Sequence, residues 1–504
     1  MSTRMDVVVV GGGPTGLLTA LELTLGGARV LVLDRLAVAS LVSKALGVGP
    51  LGIEALQRRG MSAAIDAADA RSLEAMKAFM EQKGLPGPAE RRSKFSGHFA
   101  GLMIRKDAQS EPDRRMRPVD QQAVEAMLME RVLAAGVEVR RGHEVTGISQ
   151  DANGVEVAWT SPEGPGRIRC AYIVGCDGGR STIRKMAGFA FPGTPPTMTM
   201  YTAVCDIDRP ERLGAAGFQH TAGGMYIYGP FPRRLALLDF SGPPQDRLAP
   251  VTHAEIETVL RRVSGAEVRV ETLESAGRWA DNTRLVDTYR QGRVLLAGDA
   301  AHIHSPFGGQ GMSLGLVDAA NLGWKLAAVI RGDAAETLLD SYTAERRPAA
   351  QAVLANTLAQ AAIMRPDPQS TALRALVGDL MGFDPVSKLL GEMVGGFSMP
   401  YDLGTETGGV GRLVADRQLA AGPSLYALMQ DGAGVLLDAS SDGQAARLVA
   451  RMTPRIRCVA LATGPSQLIR PDGCVAWAGE KHDLNGLEEA VRLWFTAGPI
   501  RPAG

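Results

Sequence analysis

The 504-residue sequence has few aromatic residues, no excess of charge of either sign and only five cysteines, none in a Cys-x-x-Cys pair. Unpaired thiols and the missing dithiol motif favour a reducing compartment. Lysine plus arginine and aspartate plus glutamate each total 54, so net charge gives no support for nucleic-acid binding. No apolar run reaches the roughly 18 residues of a membrane-spanning helix, and the N-terminus has no signal-peptide pattern. We therefore expect a cytoplasmic protein that binds neither nucleic acid nor membrane.

What the sequence does contain is a set of glycine-rich turns that follow apolar strand patterns. In the first, a strand ends in Gly11-Gly12-Gly13-Pro14-Thr15-Gly16, and a helical run and a second strand ending in Asp34 follow. This is the G-x-G-x-x-G pattern in its strand–turn–helix context, with an acid about 20 residues further on. Gly11 would form the tight turn, Gly13 would admit a pyrophosphate, and Gly16 would let helix and strand pack closely. The segment predicts a dinucleotide site in which Asp34 binds a ribose hydroxyl.

The second turn follows the strand pattern of residues 293–297 and begins at Gly298-Asp299. Asp299 is predicted at the carboxyl end of a buried strand, where open α/β sheets bind ligands. Its carboxylate can accept hydrogen bonds from sugar or ribityl hydroxyls. Glycines at 308, 309 and 311 let the backbone approach a flat ring, and the N-terminus of the next predicted helix favours negative charge, such as that of a reduced flavin.

A third turn, Asp177-Gly178-Gly179-Arg180, follows the strand pattern of residues 172–175. An arginine at such a turn can bind phosphate through two parallel hydrogen bonds. An Asp-Gly turn taken alone fits a structural role at least as well. His302 and His304 lie two residues apart, but no carboxylate or cysteine cluster at metal-ligand spacing accompanies them, so we expect no metal site.

These three turns, in this order, resemble those of the single-component FAD-dependent aromatic hydroxylases, the group of p-hydroxybenzoate hydroxylase and phenol hydroxylase. The resemblance is strongest to the polyketide-tailoring members, such as angucycline, anthracycline and anhydrotetracycline hydroxylases and rifampicin monooxygenase. It covers nearly the whole chain and includes five further motifs, Ser43-Lys-Ala-Leu-Gly47, Arg140-Arg-Gly-His-Glu-Val145, Phe191-Pro-Gly193, Asn321-Leu-Gly-Trp-Lys-Leu326 and Leu468-Ile-Arg-Pro-Asp-Gly473. It implies non-covalently bound FAD, NADPH or NADH as co-substrate, dioxygen, and an aromatic polyketide-like substrate.

The resemblance also implies an α/β architecture in several parts. A Rossmann-like FAD-binding domain would be formed by residues 1–184 and 279–393. Residues 185–278, which contain alternating apolar stretches, would form an inserted β-sheet domain that binds substrate. Residues 394–504 would form a thioredoxin-like C-terminal domain with a structural role. The polar stretch of residues 81–117 is predicted to be a long loop over the substrate pocket.

The expected site residues fall into four groups, and the flavin itself carries the chemistry, so no acid–base residue is singled out. The cofactor-binding group comprises Gly11, Gly13, Thr15, Gly16, Asp34, Arg35, Lys44, Gln121, Val145, Asp299, Gly311, Met312 and Ser313. The flavin-face group comprises Pro306, Gly309 and Gln310. The nicotinamide-docking group comprises Asp177, Gly178 and Arg180. The substrate group comprises Met198, Met200, Tyr226, Tyr228 and Phe240.

The reaction that the resemblance implies is hydroxylation of an electron-rich ring, after NAD(P)H has reduced FAD and dioxygen has formed a flavin C4a-hydroperoxide. Two alternatives stay open. The same flavin could catalyse Baeyer–Villiger or ring-cleaving oxygenation of a polyketide, or the protein could be a non-catalytic flavin-binding partner subunit. The protein would be a monomer or a homodimer. The chain departs from the family pattern at several positions, among them Ser313, where asparagine is usual, and Leu51, where close relatives carry arginine.

Overall fold

A computed structural model describes residues 5–39, 45–82, 88–246, 249–420, 422–440, 442–480 and 483–497. Its strands are, in chain order, β1 (Val7–Val10), β2 (Val30–Asp34), β3 (Phe95–Phe99), β4 (Leu102–Arg105), β5 (Glu138–Arg141), β6 (Glu144–Asp151), β7 (Gly154–Ser161), β8 (Gly164–Cys170), β9 (Tyr172–Gly175), β10 (Gly193–Thr194), β11 (Thr199–Ile207), β12 (Gly217–Thr221), β13 (Gly224–Tyr228), β14 (Arg234–Asp239), β15 (Val270–Ala280), β16 (Thr283–Leu285), β17 (Arg290–Gln291), β18 (Val294–Leu296), β19 (His302–Ile303), β20 (Gly434–Asp438), β21 (Ile456–Ala460), β22 (Ser466–Ile469) and β23 (Val475–Gly479). The α-helices are α1 (Pro14–Leu25), α2 (Pro50–Gln57), α3 (Ser62–Gln82), α4 (Pro88–Lys94), α5 (Gln121–Ala134), α6 (Thr182–Met186), α7 (His253–Ser264), α8 (Gly311–Arg331), α9 (Asp340–Ile363), α10 (Pro368–Leu380), α11 (Asp384–Gly395), α12 (Leu425–Leu428), α13 (Gln444–Met452) and α14 (Leu487–Phe495).

The central sheet has the strand order β17-β18-β9-β1-β2-β5, parallel except for the edge strand β17. Strands β1, β2, β9 and β18 are apolar and buried along their length, as expected for a parallel sheet covered on both faces. Because these strands run in the same direction, their carboxyl ends meet at one edge. The three glycine-rich turns therefore lie side by side, following β1, β9 and β18.

Helices α1 and α8 pack closely beside this edge, and two glycines allow the contact. A Cβ atom on Gly323 of α8 would collide with the Glu22 side chain of α1, and one on Gly26 would collide with Ala327. Helix α8 is long and apolar enough to span a membrane by composition, but most of it is buried inside the protein. It is a core helix that contacts α1 near the N-terminus and α14 near the C-terminus.

The antiparallel sheet predicted within residues 185–278 is present, with the order β12-β13-β14-β11-β15. Its two faces are buried against different partners because side chains alternate along each strand. One face packs on α7 through Tyr201, Tyr226, Leu235, Leu237, Ile256 and Leu260. The other face forms an apolar cluster with the β3–β4 hairpin and the ends of α9 and α10, through Phe99, Ile104, Met198, Met200, Met225, Leu238, Phe307, Ile363 and Met381.

The prediction of a long loop over residues 81–117 is wrong for residues 88–105, which form α4 and the antiparallel pair β3–β4. The hairpin was missed because its turn contains neither of the dipeptides Asn-Gly and Asp-Gly that typically mark a β-hairpin in a sequence. Its two turn residues, Ala100 (φ 53°) and Gly101 (φ 82°), are both left-handed. The unfavourable conformation of Ala100 is held by two hydrogen bonds, since its N–H donates to Gln360 Oε1 (2.8 Å) and its carbonyl accepts from Arg374 (2.6 Å).

After α11 the chain forms a four-stranded sheet of order β21-β20-β22-β23, flanked by α13 and α14. Ring contacts between Trp324 of α8 and Trp494 and Phe495 of α14 join this unit to the central layer. A buried charge cluster continues the contact. Glu345 of α9 accepts from Lys325 (2.8 Å) and from both terminal nitrogens of Arg470 (2.7 and 2.8 Å).

Candidate active site

The first glycine-rich turn combines tight packing with one open face. Gly11 has φ +111°, and a Cβ atom on it would collide with the Cys176 carbonyl; a Cβ atom on Gly16 would collide with the Gly11 carbonyl. Gly13 differs, because the nearest atom to its Cβ position is Glu125 Oε1, 4.0 Å away. Helix α1 starts here with Gly13 as N-cap and no capping side chain. Its first N–H groups are therefore free for an anion such as a pyrophosphate.

Asp34, at the end of β2, is fixed beside this turn. Its Oδ2 accepts from the Gly12 N–H (2.8 Å) and its Oδ1 from the Leu36 N–H (2.9 Å), with an Arg141 nitrogen 3.5 Å away. Each carboxylate oxygen can accept a second hydrogen bond, so both retain capacity for a ribose hydroxyl. The adjacent Arg35 side chain is exposed.

The other residues expected at the nucleotide end lie around the same turn. The Gln121 amide nitrogen donates to Glu125 (2.8 Å), the residue nearest to the open face of Gly13. Val145 is buried on β6, two residues after His143, whose N–H donates to the Asp34 carbonyl. Lys44 lies outside the described residues.

Asp299 lies at the end of β18, next to the start of α1. The preceding Gly298 has φ +62°, and a Cβ atom on it would lie 2.8 Å from Thr15 Oγ1. The Asp299 residue is exposed, and within the described residues its carboxylate accepts no hydrogen bond. The group therefore lies free at the edge of the sheet, beside the pyrophosphate cradle.

The loop after Asp299 bends sharply before α8. Gly308 (φ +73°) and Gly309 (φ +64°) are left-handed, and a Cβ atom on Gly309 would lie 2.6 Å from Met116 Cε. Pro306 is exposed. Helix α8 starts at Gly311 with Gln310 as N-cap and no side-chain cap, so its first N–H groups, including those of Gly311 and Met312, are available to a negatively charged ring.

The Ser313 side chain makes a hydrogen bond within the protein. Its hydroxyl accepts a 2.7 Å hydrogen bond from the Gly49 N–H, and a Cβ atom on Gly52 would lie 2.8 Å from the same oxygen. Helices α2 and α8 thus meet at Ser313, and the absence of a side chain at Gly52 allows their close approach. Neither this contact nor that of Met116 was foreseen, and the sequence has no motif that signals them.

Gln310 lies between this loop and a small internal cavity of about 70 Å³. Its amide nitrogen donates to the Phe307 carbonyl (3.3 Å), while its Oε1 is buried with no partner among the described residues. The Nδ2 of Asn356, which lines the same cavity, is likewise unpartnered. An acceptor and a donor thus border a space large enough for water.

The two histidines of the loop have separate partners. His302 Nε2 lies 2.6 Å from Asp318 Oδ2, and Arg346 donates to the other oxygen at 2.8 Å. Burial alone would raise the pKa of Asp318, but the His302 and Arg346 contacts hold that pKa below its ordinary value. Burial lowers the pKa of His304 to about 4, so its ring is neutral at physiological pH. His304 Nδ1 lies 2.7 Å from the Ser305 carbonyl, and its other nitrogen lies beside Gly311.

The third turn is tied to the second. Asp177 accepts from the Ser181 hydroxyl (2.5 Å) and the Thr182 N–H (2.6 Å), so its carboxylate caps α6. Arg184 donates to the carbonyls of Gly179 (2.9 Å) and Ala300 (3.0 Å). Arg180, by contrast, is exposed. Of the residues expected to dock nicotinamide, Asp177 has a structural function and Arg180 remains accessible.

The five residues expected to contact substrate do not share a face. Met198, Met200 and Phe240 belong to the cluster with Phe307, on the loop side of the sheet. Tyr226 and Tyr228 lie on the α7 side, where the Tyr226 hydroxyl donates to the Leu213 carbonyl (2.7 Å). Met198 and Met200 are fully packed, so they support the pocket wall without lining open space.

Open space of about 430 Å³ lies instead beneath the β3–β4 hairpin, and we call it the hairpin cavity. It extends from Gly49 and Gly308 at the flavin-loop end to α11. Its wall combines apolar and charged side chains, among them His98, Ile104, Glu111, Arg114, Arg115, Met116, Lys388, Glu392, Val394, Phe397 and Arg412. Those up to Met116 belong to the stretch of residues 81–117 that was predicted to cover the substrate pocket. The residues from Lys388 onward were not expected, because distant segments of the chain bring them to the same wall.

Comparison with known families identifies this arrangement. A model of the FAD binding domain matches residues 4–357, and a model of the aromatic-ring hydroxylase C-terminal region matches residues 407–498. The chain belongs to the FAD-dependent aromatic-ring hydroxylases. As a member of this family it is an FAD-dependent monooxygenase, and the open face of Gly13, the unpartnered Asp299 and the uncapped α8 N-terminus fit the cofactor.

Relatives of this hydroxylase match along nearly the full length. The chain is 39% identical to the 12-dehydrotetracycline 5-monooxygenase/anhydrotetracycline 6-monooxygenase of Streptomyces rimosus, over 98% of this chain and 99% of that protein. It is 37% identical to a rifampicin monooxygenase of Streptomyces venezuelae, with the same coverage. The solved structure of OxyS anhydrotetracycline hydroxylase from Streptomyces rimosus superposes with a TM-score of 0.85 at 37% identity, covering 98% of this chain and 99% of that one.

Proposed function

We propose that this monooxygenase consumes NADPH or NADH and hydroxylates an aromatic polyketide or a related polycyclic phenol. The observation that carries the proposal is the hairpin cavity, about 430 Å³ in volume, which reaches Gly308 of the flavin loop. Protein pockets that bind drug-sized small molecules have volumes of roughly 300–1,000 Å³, and the hairpin cavity falls within that range. The relatives named for anhydrotetracycline and rifampicin, both polycyclic, support the same substrate class.

When bound, FAD supplies the electron transfer and oxygen activation, and the chain supplies binding and orientation. Gly11, Gly13 and Gly16 form the cradle for the pyrophosphate, and Asp34 accepts from the ribose. Asp299 accepts from the ribityl chain. The N–H groups of Gly311 and Met312 stabilise negative charge on the ring.

Pro306, Gly309 and Gln310 would form the surface that holds the flavin ring. The apolar cluster behind the loop, which includes Phe307 and Met200, keeps water away from that surface, and a dry pocket limits wasteful side reactions. The exposed Arg180 would meet the incoming nicotinamide nucleotide. No side chain is assigned as a general acid or base.

The same proposal covers the architecture. Residues 1–184 and 279–393 would form the Rossmann-like FAD-binding domain, residues 185–278 the substrate sheet domain, and residues 394–504 a thioredoxin-like domain. The last of these has no Cys-x-x-Cys pair and would contribute packing only. A cytoplasmic location fits free thiols and the supply of NAD(P)H, and the assembly would be a monomer or a homodimer.

The test measures NADPH and NADH consumption, oxygen uptake and product structure across two sets of compounds. Aromatic polyketides and naphthoquinone-like phenols should accelerate NADPH oxidation manyfold, whereas p-hydroxybenzoate should not. The product should carry one added oxygen, and NMR should locate it as a ring hydroxyl. A product in which the added oxygen forms an ester would show that the reaction is a Baeyer–Villiger oxygenation and not a hydroxylation. Coupled turnover of a small benzoate with none for any polycycle would contradict the substrate class, and absence of oxygen uptake with every compound would favour a non-catalytic flavoprotein.

A further inference from the structure

The hairpin cavity carries an excess of positive charge. Four cationic side chains line it against two carboxylates, and most of these charges are already paired. Arg114 donates to both oxygens of Glu54 (2.6 and 2.7 Å) and to Glu111 (2.9 Å). Lys388 lies 3.9 Å from Glu392. The two carboxylates of the wall are therefore committed to Arg114 and Lys388.

Arg115 differs from these neighbours. Its side chain is half-buried, and it makes no hydrogen bond or ion pair with any residue that the structure describes. The nearby Asp69 is shared by Arg117 (2.5 Å) and Arg92 (3.5 Å). Burial, reinforced by these two arginines, lowers the pKa of Arg115 from its ordinary value, against the weaker opposing effect of Asp69 and Asp113. A guanidinium that has lost part of its water and gained no partner is costly to bury.

The position of Arg115 relates it to the reacting end of the cavity. The next residue, Met116, lies against Gly309, and Gly308 lines the same cavity as Arg115. A polycyclic ligand with one edge at the flavin loop would therefore pass the Arg115 guanidinium. That guanidinium presents a planar fork of donors, which matches two oxygens on one ligand group.

We propose that Arg115 binds an anionic oxygen pair on the substrate, so that the enzyme prefers acidic polycycles to their neutral counterparts. This inference rests on the proposed function and adds to it the charge of the substrate. A carboxylate and an ionised enol of a 1,3-dicarbonyl group share the required chemistry. The structure assigns the binding role to Arg115 and not to Arg114, because Arg114 is already neutralised by Glu54 and Glu111.

The test uses FAD-loaded enzyme and two matched ligand pairs, followed by the change in flavin fluorescence. The carboxylate pair is 1,4-dihydroxy-2-naphthoic acid and its methyl ester; the enol pair is 2-acetylindane-1,3-dione and its enol methyl ether. The wild-type protein should bind at least one acid about tenfold more tightly than its neutral twin. A preference within the first pair would indicate that Arg115 binds a carboxylate, and a preference within the second pair would indicate that it binds an ionised enol. Equal affinity within both pairs would overturn the proposal without any variant.

The variants locate the preference. Arg115→Gln should weaken binding of the preferred acid by about 10- to 100-fold, as expected for a lost charge-assisted contact, and should change binding of the neutral twin less than about threefold. Arg167→Gln, at an exposed position on β8 outside the cavity wall, should change neither by more than about threefold. Arg115→Lys, which retains the charge, should keep a reduced preference and gives a second reading should Arg115→Gln fold poorly. Equal losses for acid and neutral ligand in Arg115→Gln would disprove the role.

These titrations need neither NAD(P)H nor oxygen, so they separate the inference from the proposed function. Selective acid binding that depends on Arg115, with no hydroxylation of any polycycle, would refute the function and leave the binding site. If the enzyme hydroxylates polycycles but binds acidic and neutral ones equally well, the proposed function stands and the role of Arg115 is refuted.

Discussion

Asp299 is exposed at the ligand edge of the central sheet, and its carboxylate accepts no hydrogen bond from the residues that the structure describes. We expect Asp299→Ala to weaken FAD binding by about 10- to 150-fold, because a charge-assisted hydrogen bond to the ribityl chain is worth roughly 1.5–3 kcal/mol. Equilibrium titration of the apoprotein with FAD measures this. The free energy of unfolding without FAD should change little, since the group faces solvent.

Asp287→Ala is the matched control for that variant. Asp287 is also exposed and precedes β18, but it makes only a 3.8 Å ion pair with Arg347, so its loss should not affect FAD affinity. An Asp299→Ala protein that binds FAD as tightly as wild type would show that the carboxylate does not contact the cofactor.

His304 predicts a pH dependence of stability. Burial lowers its pKa in the folded protein to about 4, below the ordinary value of 6.5. As the pH falls through 6.5 the unfolded chain therefore takes up the proton first, and the free energy of unfolding decreases until the pH reaches about 4. Chemical unfolding at several pH values should give a shallower decrease for His304→Gln than for wild type.

The exposed His253 supplies the comparison. His253→Gln should follow the wild-type pH curve. If His304→Gln also ran parallel to wild type between pH 6.5 and 4, the buried ring would not be the source of the acid sensitivity.

At the residue scale, the sequence predicted positions better than contacts. It placed Asp34 and Asp299 at strand ends because strand, turn and helix patterns are local. It could not predict that Ser313 binds Gly49, since that hydrogen bond joins residues 264 positions apart. Arg115 was missed for a related reason, because whether an arginine is paired depends on carboxylates from other segments.

At the scale of elements, the charge cluster between α8, α9 and the β22–β23 turn holds the C-terminal unit in place. Glu345 accepts from Lys325 and Arg470, and although burial alone would raise its pKa, these two cations lower that pKa to about 2. Glu345→Ala would leave two buried cations short of a partner, so we expect a loss of about 3–5 kcal/mol in the free energy of unfolding. Urea denaturation measures it.

Glu488→Ala provides the surface equivalent. Glu488 pairs with Arg492 one helical turn away, and both are exposed, so the loss should stay below about 0.5 kcal/mol. Similar losses for the two variants would mean that the buried cluster contributes no more than a surface pair.

The secondary structure shows what local patterns can and cannot determine. The alternating apolar stretches within residues 185–278 predicted strands, and β11, which contains Met200, is one of them. The sequence could not tell on which face of the sheet Tyr226 and Tyr228 lie. Pairing of Tyr226 with Leu237 decides it, because it aligns both with the side covered by α7.

At the scale of the whole molecule, the purified protein should be yellow and contain one FAD per chain. We expect the three turns at the sheet edge to surround one cofactor, held without a covalent bond to a histidine or cysteine. The absorption spectrum and the flavin released by acid precipitation measure stoichiometry and attachment. A well-folded, colourless protein that added FAD does not restore would contradict the cofactor, and flavin retained in the precipitate would indicate a covalent bond.

The hairpin cavity takes most of its wall from the hairpin, residues 109–116 and α11, whereas the cofactor cradle comes from the edge of the central sheet. The two are built from largely separate stretches of chain. Away from the contacts of Met116 with Gly309 and of Gly49 with Ser313, a substitution in the cavity wall does not touch the cofactor cradle. The substrate preference of such a protein can therefore change while its cofactor contacts stay the same.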